Sequence, residues 1–189
     1  MKTSIAFGTC LLIASAGAFA QADTKAVQRD INQQNRIEQG LQSGQLNTRE
    51  AARLEREQSR INGLEAKAQR DGSVSAAEAA RINKAQNAAS RDIAREKTDA
   101  QKGNPASASS QRMQADVQRN INQEQRIQQG VKSGSLSTKE ASRLERGQAR
   151  VTAKEARAGA DGRVGPREQK AIQRAENRKS AGIYKQKHD

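Results

Sequence analysis

The sequence predicts an all-α protein made of two tandem three-helix hairpins or bundles. Three observations carry that expectation: an internal duplication, apolar residues at helical spacing, and a recurring glycine-then-cap signal. Val27-Gln28-Arg29-Asp30-Ile31-Asn32-Gln33 returns as Val117-Gln118-Arg119-Asn120-Ile121-Asn122-Gln123, a shift of 90. Held at that shift without gaps, residues 27–99 match residues 117–189 at 36 of 73 positions. Ten positions are apolar in both copies: 27, 31, 37, 41, 46, 54, 61, 74, 82 and 93, with their partners 90 residues on. A disordered duplicate would have no reason to keep its few apolar side chains in place, so these residues are expected to pack.

The spacing within the set is helical. Leu54, Ile61, Leu64 and Ala68 recur at seven, three and four, and Ala79, Ile82, Ala89 and Ile93 share one face. Asn47 with Glu50, Ser75 with Glu78, and Ser137 with Glu140 read as capping boxes, in which side chain and backbone satisfy each other's donors at a helix start. Gly165-Pro166-Arg167-Glu168 is a weaker fourth, with proline at the first helical position. Leu46, Val74, Leu136 and Val164 precede the caps as staples, and Gly44, Gly72, Gly134 and Gly162 stop the preceding helices.

The expected helices run over 24–43, 48–70 and 76–98, then 111–133, 138–160 and 166–187. The domain reading is a cleaved leader over 1–20, a helical repeat over 21–99, a flexible linker over 100–116 marked by the small residues and Pro105 of GNPASASS, and a second repeat over 117–189. Residues 21–189 contain only 23 large apolar side chains, and Gly63, Gly147 and Gly159 weaken the middle helices. The expectation is therefore marginal stability, with fraying or coiled-coil-like pairing.

The leader is read from Lys2, the apolar run Ile5 to Phe19, and the A-x-A site Ala18-Phe19-Ala20, with Gln21 as the mature N-terminus. The run is shorter than the ~20 residues a spanning helix needs. Cys10 lies too early in it to be a lipidated cysteine. The expected location is periplasmic or secreted, with no membrane span after cleavage.

Composition then excludes chemistry. After residue 20 there is no Cys, one His (His188) and one aromatic (Tyr184). That removes thiol ligands, disulfides and a cysteine nucleophile. There is no P-loop, GxGxxG, GxSxG or HExxH motif. Glu55 and Glu57 read as surface charges beside Arg53 and Arg56. No catalytic residue, cofactor or metal ligand is assigned. The nearest approach to a metal motif is Asp71-Gly72-Ser73-Val74-Ser75 with Glu78, repeated as Asp161-Gly162-Arg163-Val164 with Glu168; both resemble the second half of an EF-hand loop. The first ligand position would hold Lys67 or Arg157, which repels Ca²⁺.

Charge is the informative bias. Net charge is +13 overall, +2 for residues 27–99 and +9 for 117–189. The candidate polyanion-binding set is Arg163, Arg167, Lys170, Arg174, Arg178, Lys179, Lys185 and Lys187. Envelope polyanions such as lipopolysaccharide, anionic polysaccharide or DNA are the expected partners, with self-association beside them. The expected function is a non-catalytic interaction or structural protein of the cell envelope. The alternative is a periplasmic metal- or calcium-responsive protein with degenerate EF-hand-like loops.

Ser43 to Arg56 (SGQLNTREAARLER), Arg70 to Ser90 (RDGSVSAAEAARINKAQNAAS) and the ending GIYKQKHD (Gly182 to Asp189) together resemble a family of small exported proteobacterial helical-repeat proteins. The resemblance implies export and a helical repeat. It implies no activity, cofactor or catalytic residue. Arg95-Glu96-Lys97-Thr98-Asp99 departs from the pattern, because it lacks the histidine of Lys187-His188-Asp189.

Overall fold

A computed structural model describes the backbone over residues 15–188 and the side chains over 24–188. The expected leader falls mostly outside the described residues. Six helices follow in order: α1 (Ser15–Gln42), α2 (Thr48–Ala68), α3 (Ala76–Thr98), α4 (Ala108–Ser133), α5 (Thr138–Ala158) and α6 (Pro166–His188). There is no strand among the described residues. The three capping boxes form as the sequence predicts, and the Gly165 N–H donates to Glu168 Oε2 at 2.8 Å. All four stop glycines sit at positive φ, which a side chain would strain.

The repeated apolar positions form the core. All of them are buried except Val74 and Val131, which are half-buried. The copies do not, however, fold as separate bundles. The most extensive contacts in the molecule are α2 with α5 and α1 with α4, so each copy packs mainly against the other. One apolar cluster joins Ile31, Leu41, Leu54 and Ile93 of the first copy to Met113, Val117 and Ile121 on α4 and Ile172 on α6.

α2 and α5 run antiparallel. Arg49 Nη2 donates to the Asp161 carbonyl at 2.9 Å, Ser59 Oγ to the Ala149 carbonyl at 2.7 Å, and Ser142 Oγ to the Ala66 carbonyl at 2.7 Å. Residues 59 and 149 are ninety apart and meet each other, as an approximate two-fold axis between the copies requires. α1 and α4 obey the same axis: Gln128 Nε2 donates to Gln28 Oε1 at 2.9 Å, and the mate of that pair, Glu38 against Gln118, is also in contact.

The expected flexible linker over 100–116 is revised accordingly. Ala108 to Asp116 form the first turns of α4, which packs on the first copy. The remaining connection is tied down where the Gly103 N–H donates to the Gly44 carbonyl at 2.9 Å.

Gly159 shows how tightly the copies meet. A Cβ there would lie 2.6 Å from Met113 Cε and 2.8 Å from Ala52 Cβ. Gly159→Ala is expected to destabilise the bundle by about 1–3 kcal/mol, the range for overpacking a core. Gly63, mid-α2 and exposed, has open space around it, so Gly63→Ala is expected to stabilise by roughly 0.5–1 kcal/mol through helix propensity. Urea denaturation of the two variants checks the opposite signs.

Candidate functional site

The basic residues of the second copy divide by helical phase. Arg167, Lys170, Arg174, Arg178 and Lys185 recur at three, four, four and seven along α6, and all are exposed. They make one stripe about 27 Å long at 1.5 Å per residue. None of the ion pairs among the described residues uses any of them. Arg163 is exposed in the turn before α6, and Lys187 is half-buried in its last turn.

Lys179 is a correction. It is 7% exposed, and its ammonium donates to the Leu144 carbonyl. Burial lowers its pKa to about 8, opposed by the nearby carboxylates of Glu145 and Glu124. It belongs to the interior rather than to the outer stripe. The sequence carried a signal for this, because Lys179 shares a helical face with Ile172, Glu176 and Ile183, all of them buried.

The interior is the feature that sequence reasoning missed. Glu55, read as a surface charge beside Arg53 and Arg56, is 0% exposed. Asp30, Glu65, Asp116, Glu124, Glu145, Glu155 and Glu176 are buried with it. Amides supply most of the donors. Gln86 Nε2 donates to Asp30 Oδ1 at 2.8 Å and to Glu65 Oε1 at 3.2 Å. Asn62 Nδ2 reaches Glu124 Oε1 at 3.2 Å and Glu145 Oε2 at 3.3 Å. Within single copies, Asn120 Nδ2 donates to Glu155 Oε2 at 2.6 Å, Gln34 Nε2 to Glu55 Oε2 at 3.1 Å, and Gln169 Nε2 on α6 to Asp116 Oδ1 on α4 at 2.6 Å. Arg119 pairs with Glu176 at 2.8 Å.

Acceptors still outnumber donors. Asp30 Oδ2, Glu55 Oε1, Glu65 Oε2, Asp116 Oδ2, Glu124 Oε2 and Glu155 Oε1 accept no hydrogen bond from a neighbouring N–H or hydroxyl. Protonation resolves the excess, since a carboxyl O–H is a donor. Burial pushes Asp30 and Glu55 up to about 7 and Asp116 up to about 8. Glu65, Glu124 and Glu155 are raised well above the usual carboxylate range, by burial first and by neighbouring acids second. Asp30 and Glu65 lie within hydrogen-bonding reach of each other, a contact that lowers the pKa of Asp30 and raises that of Glu65.

The EF-like loops use their acids locally. Asp71 Oδ1 accepts from the Ser73 N–H at 3.1 Å, Asp161 Oδ1 accepts from the Arg163 N–H at 2.9 Å, and Glu78 caps α3. Away from those loops, Glu50, Glu96 and Asp99 bring ligand atoms within 4.8 Å of one another. Glu50 there closes the cap of α2, and Glu96 is paired with Arg53 at 3.2 Å. Tyr184, 62% exposed, does not pack into the bundle; its ring stacks on His188 with centroids 4.2 Å apart. No helix among the described residues is long and apolar enough to cross a membrane.

Comparison with known protein families, curated proteins and solved structures finds no match to this chain.

Proposed function

We propose that this is an exported, non-catalytic interaction protein of the cell envelope, which binds phosphate-rich polyanions through the second copy. The carrying observation is the stripe Arg167, Lys170, Arg174, Arg178 and Lys185. It is exposed, follows one face of α6 and uses none of its charges in ion pairs among the described residues. Its first-copy counterparts are Ala77, Ala80, Lys84, Ala88 and Arg95. The scaffold is shared, so the charge is not a requirement of the fold. Such a stripe attracts polyanions by counterion release and reads no sequence. The chain's single aromatic beyond the leader offers no row of stacking surfaces, which favours double-stranded or polysaccharide backbones over unpaired bases.

The test is titration of the full mature chain with heparin, lipopolysaccharide and duplex DNA at two salt concentrations. Affinity is expected to fall steeply with salt. Lys170→Gln with Arg174→Gln is expected to reduce the slope of log K against log salt by about 2 on DNA, roughly one per lost phosphate contact. An unchanged slope would remove the stripe from the interaction, and no binding to any of the three would end the reading.

A further inference from the structure

The second copy has another basic feature, set between helices rather than on an outer face. A groove of about 400 Å³ lies between α5 and α6. Arg143, Arg150 and Lys154 line it from α5, and Arg178 and Lys179 from α6. Leu144, Val151 and Ala175 line it between them, with Gly147 and Gly182. None of its lining residues is acidic.

The first copy has the equivalent groove between α2 and α3, of about 210 Å³. Its lining includes Glu57 and Asp92, with Arg60, Ala88 and Ala89. Ninety residues on, Glu57 becomes Gly147, Asp92 becomes Gly182, Ala88 becomes Arg178, Ala89 becomes Lys179, and Leu64 becomes Lys154. Each difference moves the charge one unit positive. The copies differ by seven units of net charge, +9 against +2: twelve positions become more positive and five more negative, and the groove holds five of the twelve and none of the five. A difference that served solubility alone would be spread over the surface.

The two glycines point the same way. Glycine weakens a helix interior. At Gly147 its absence of a side chain makes room for Lys179, whose Cδ would stand 3.1 Å from a Cβ there. At Gly182 a Cβ would meet nothing within 4 Å, so packing does not ask for glycine. What glycine gives at both positions is an open floor without charge.

From this geometry we infer that the α5–α6 groove is a binding site for a compact ligand carrying two or more phosphate groups. Arg143, Arg150 and Arg178 supply planar forks suited to bidentate contact with phosphate oxygens, and Lys154 a further charge. The volume lies in the range of small-molecule sites, and the apolar floor suits the non-ionic face of such a ligand. The inference rests on the polyanion reading of the second copy and deepens it. It places the selective site in the groove and leaves the α6 stripe as a less selective approach surface.

The experiment uses the full mature chain. Calorimetric titration with inorganic tripolyphosphate tests a free oligophosphate; co-sedimentation with phosphatidylcholine vesicles containing cardiolipin tests a lipid headgroup with two phosphates. Binding of either probe is expected, and which one binds identifies the source. Gly147→Glu with Gly182→Asp installs acids where the first copy has them, and is expected to weaken binding at least tenfold. Arg143→Gln with Arg150→Gln should do the same without changing any helical glycine. Circular dichroism verifies that each variant keeps its helicity. If both folded variants bind within twofold of wild type, or if wild type binds neither probe while still binding heparin, the groove inference is overturned and the stripe reading stands. If the groove variants lose tripolyphosphate while Lys170→Gln with Arg174→Gln leaves heparin untouched, the groove stands and the stripe reading fails.

Discussion

Raising the pH from 5 to 8 is expected to lower the melting temperature of the bundle by about 10 °C or more, the reverse of ordinary acid denaturation. The cause is the buried carboxyl layer. In the unfolded chain these groups titrate near pH 4. Below that, both states hold the protons and the groups contribute no pH dependence. Above it, the unfolded chain releases protons that the native core retains, so stability falls with pH by about 1.4 kcal/mol per unit for each such group. The loss continues until pH passes the folded pKa, about 7 for Asp30 and Glu55 and about 8 for Asp116. Coupling between neighbouring acids, as between Asp30 and Glu65, and local relaxation make the groups less than additive, leaving an expected loss of several kcal/mol.

The opposite trend operates in acid. The Ser75 and Ser137 hydroxyls hold the capping carboxylates of Glu78 and Glu140 below their usual range. Their contribution is present above pH 4 and is lost as pH falls through the lowered values. Protonating surface acids also raises an already large positive charge. The optimum is therefore expected near pH 5. Thermal melts followed by circular dichroism across pH 4–9 check the profile. Glu65→Gln is the sharper variant: it keeps the shape, removes the buried acid and offers an N–H towards Asp30. It is expected to raise the melting temperature at pH 8, with little change at pH 5. A profile that is flat or rising between pH 5 and pH 8 would mean that the layer is not protonated.

The local layer of this fold was legible in the sequence and the tertiary layer was not. Caps, stops and staples are decided by neighbours a few residues apart. Helices starting at Thr48, Ala76, Thr138 and Pro166 were accordingly placed to the residue or nearly so. The apolar set was legible because both copies kept it. What stayed hidden was which copy each face meets. Periodicity shows that Leu54 and Val117 are buried but not that they share one cluster.

Glu55 misled for a physical reason: its chain neighbours Arg53 and Arg56 are exposed, and adjacency in a helix is not a shared face. The better signal was phase combined with identity. Glu55, Gln58 and Glu65 lie on the stripe of Leu54 and Ile61, and all three are unchanged at Glu145, Gln148 and Glu155. The candidate site divides likewise. The exposed stripe of α6 could be read from spacing alone. The groove needed the α5–α6 contact to bring Arg143 and Arg150 beside Arg178.

The first copy alone, residues 24–104, is expected to lose its cooperative fold as a monomer. Its longest packed faces are the ones α1 and α2 turn towards α4 and α5. Cutting the chain would open Val27, Ile31 and Leu54 to water and take Met113, Val117 and Ile121 from the same cluster. It would also strip Asn62 of its bonds to Glu124 and Glu145. The cost exceeds what a 5–15 kcal/mol domain can lose. The two-fold relation adds a second expectation. A surface that packs on a copy of itself across such an axis is close to self-complementary, so the fragment should regain helicity by pairing as its concentration rises. Circular dichroism and sedimentation from about 1 to about 100 μM would follow this, since association and folding are then one equilibrium. Mixing it with residues 105–189 should give a 1:1 complex with the helicity of the full chain, because the connection at Gly103 serves mainly to raise the effective concentration of one copy around the other. A fragment that is monomeric, fully helical and cooperative in its melt would show that each copy is a domain in its own right.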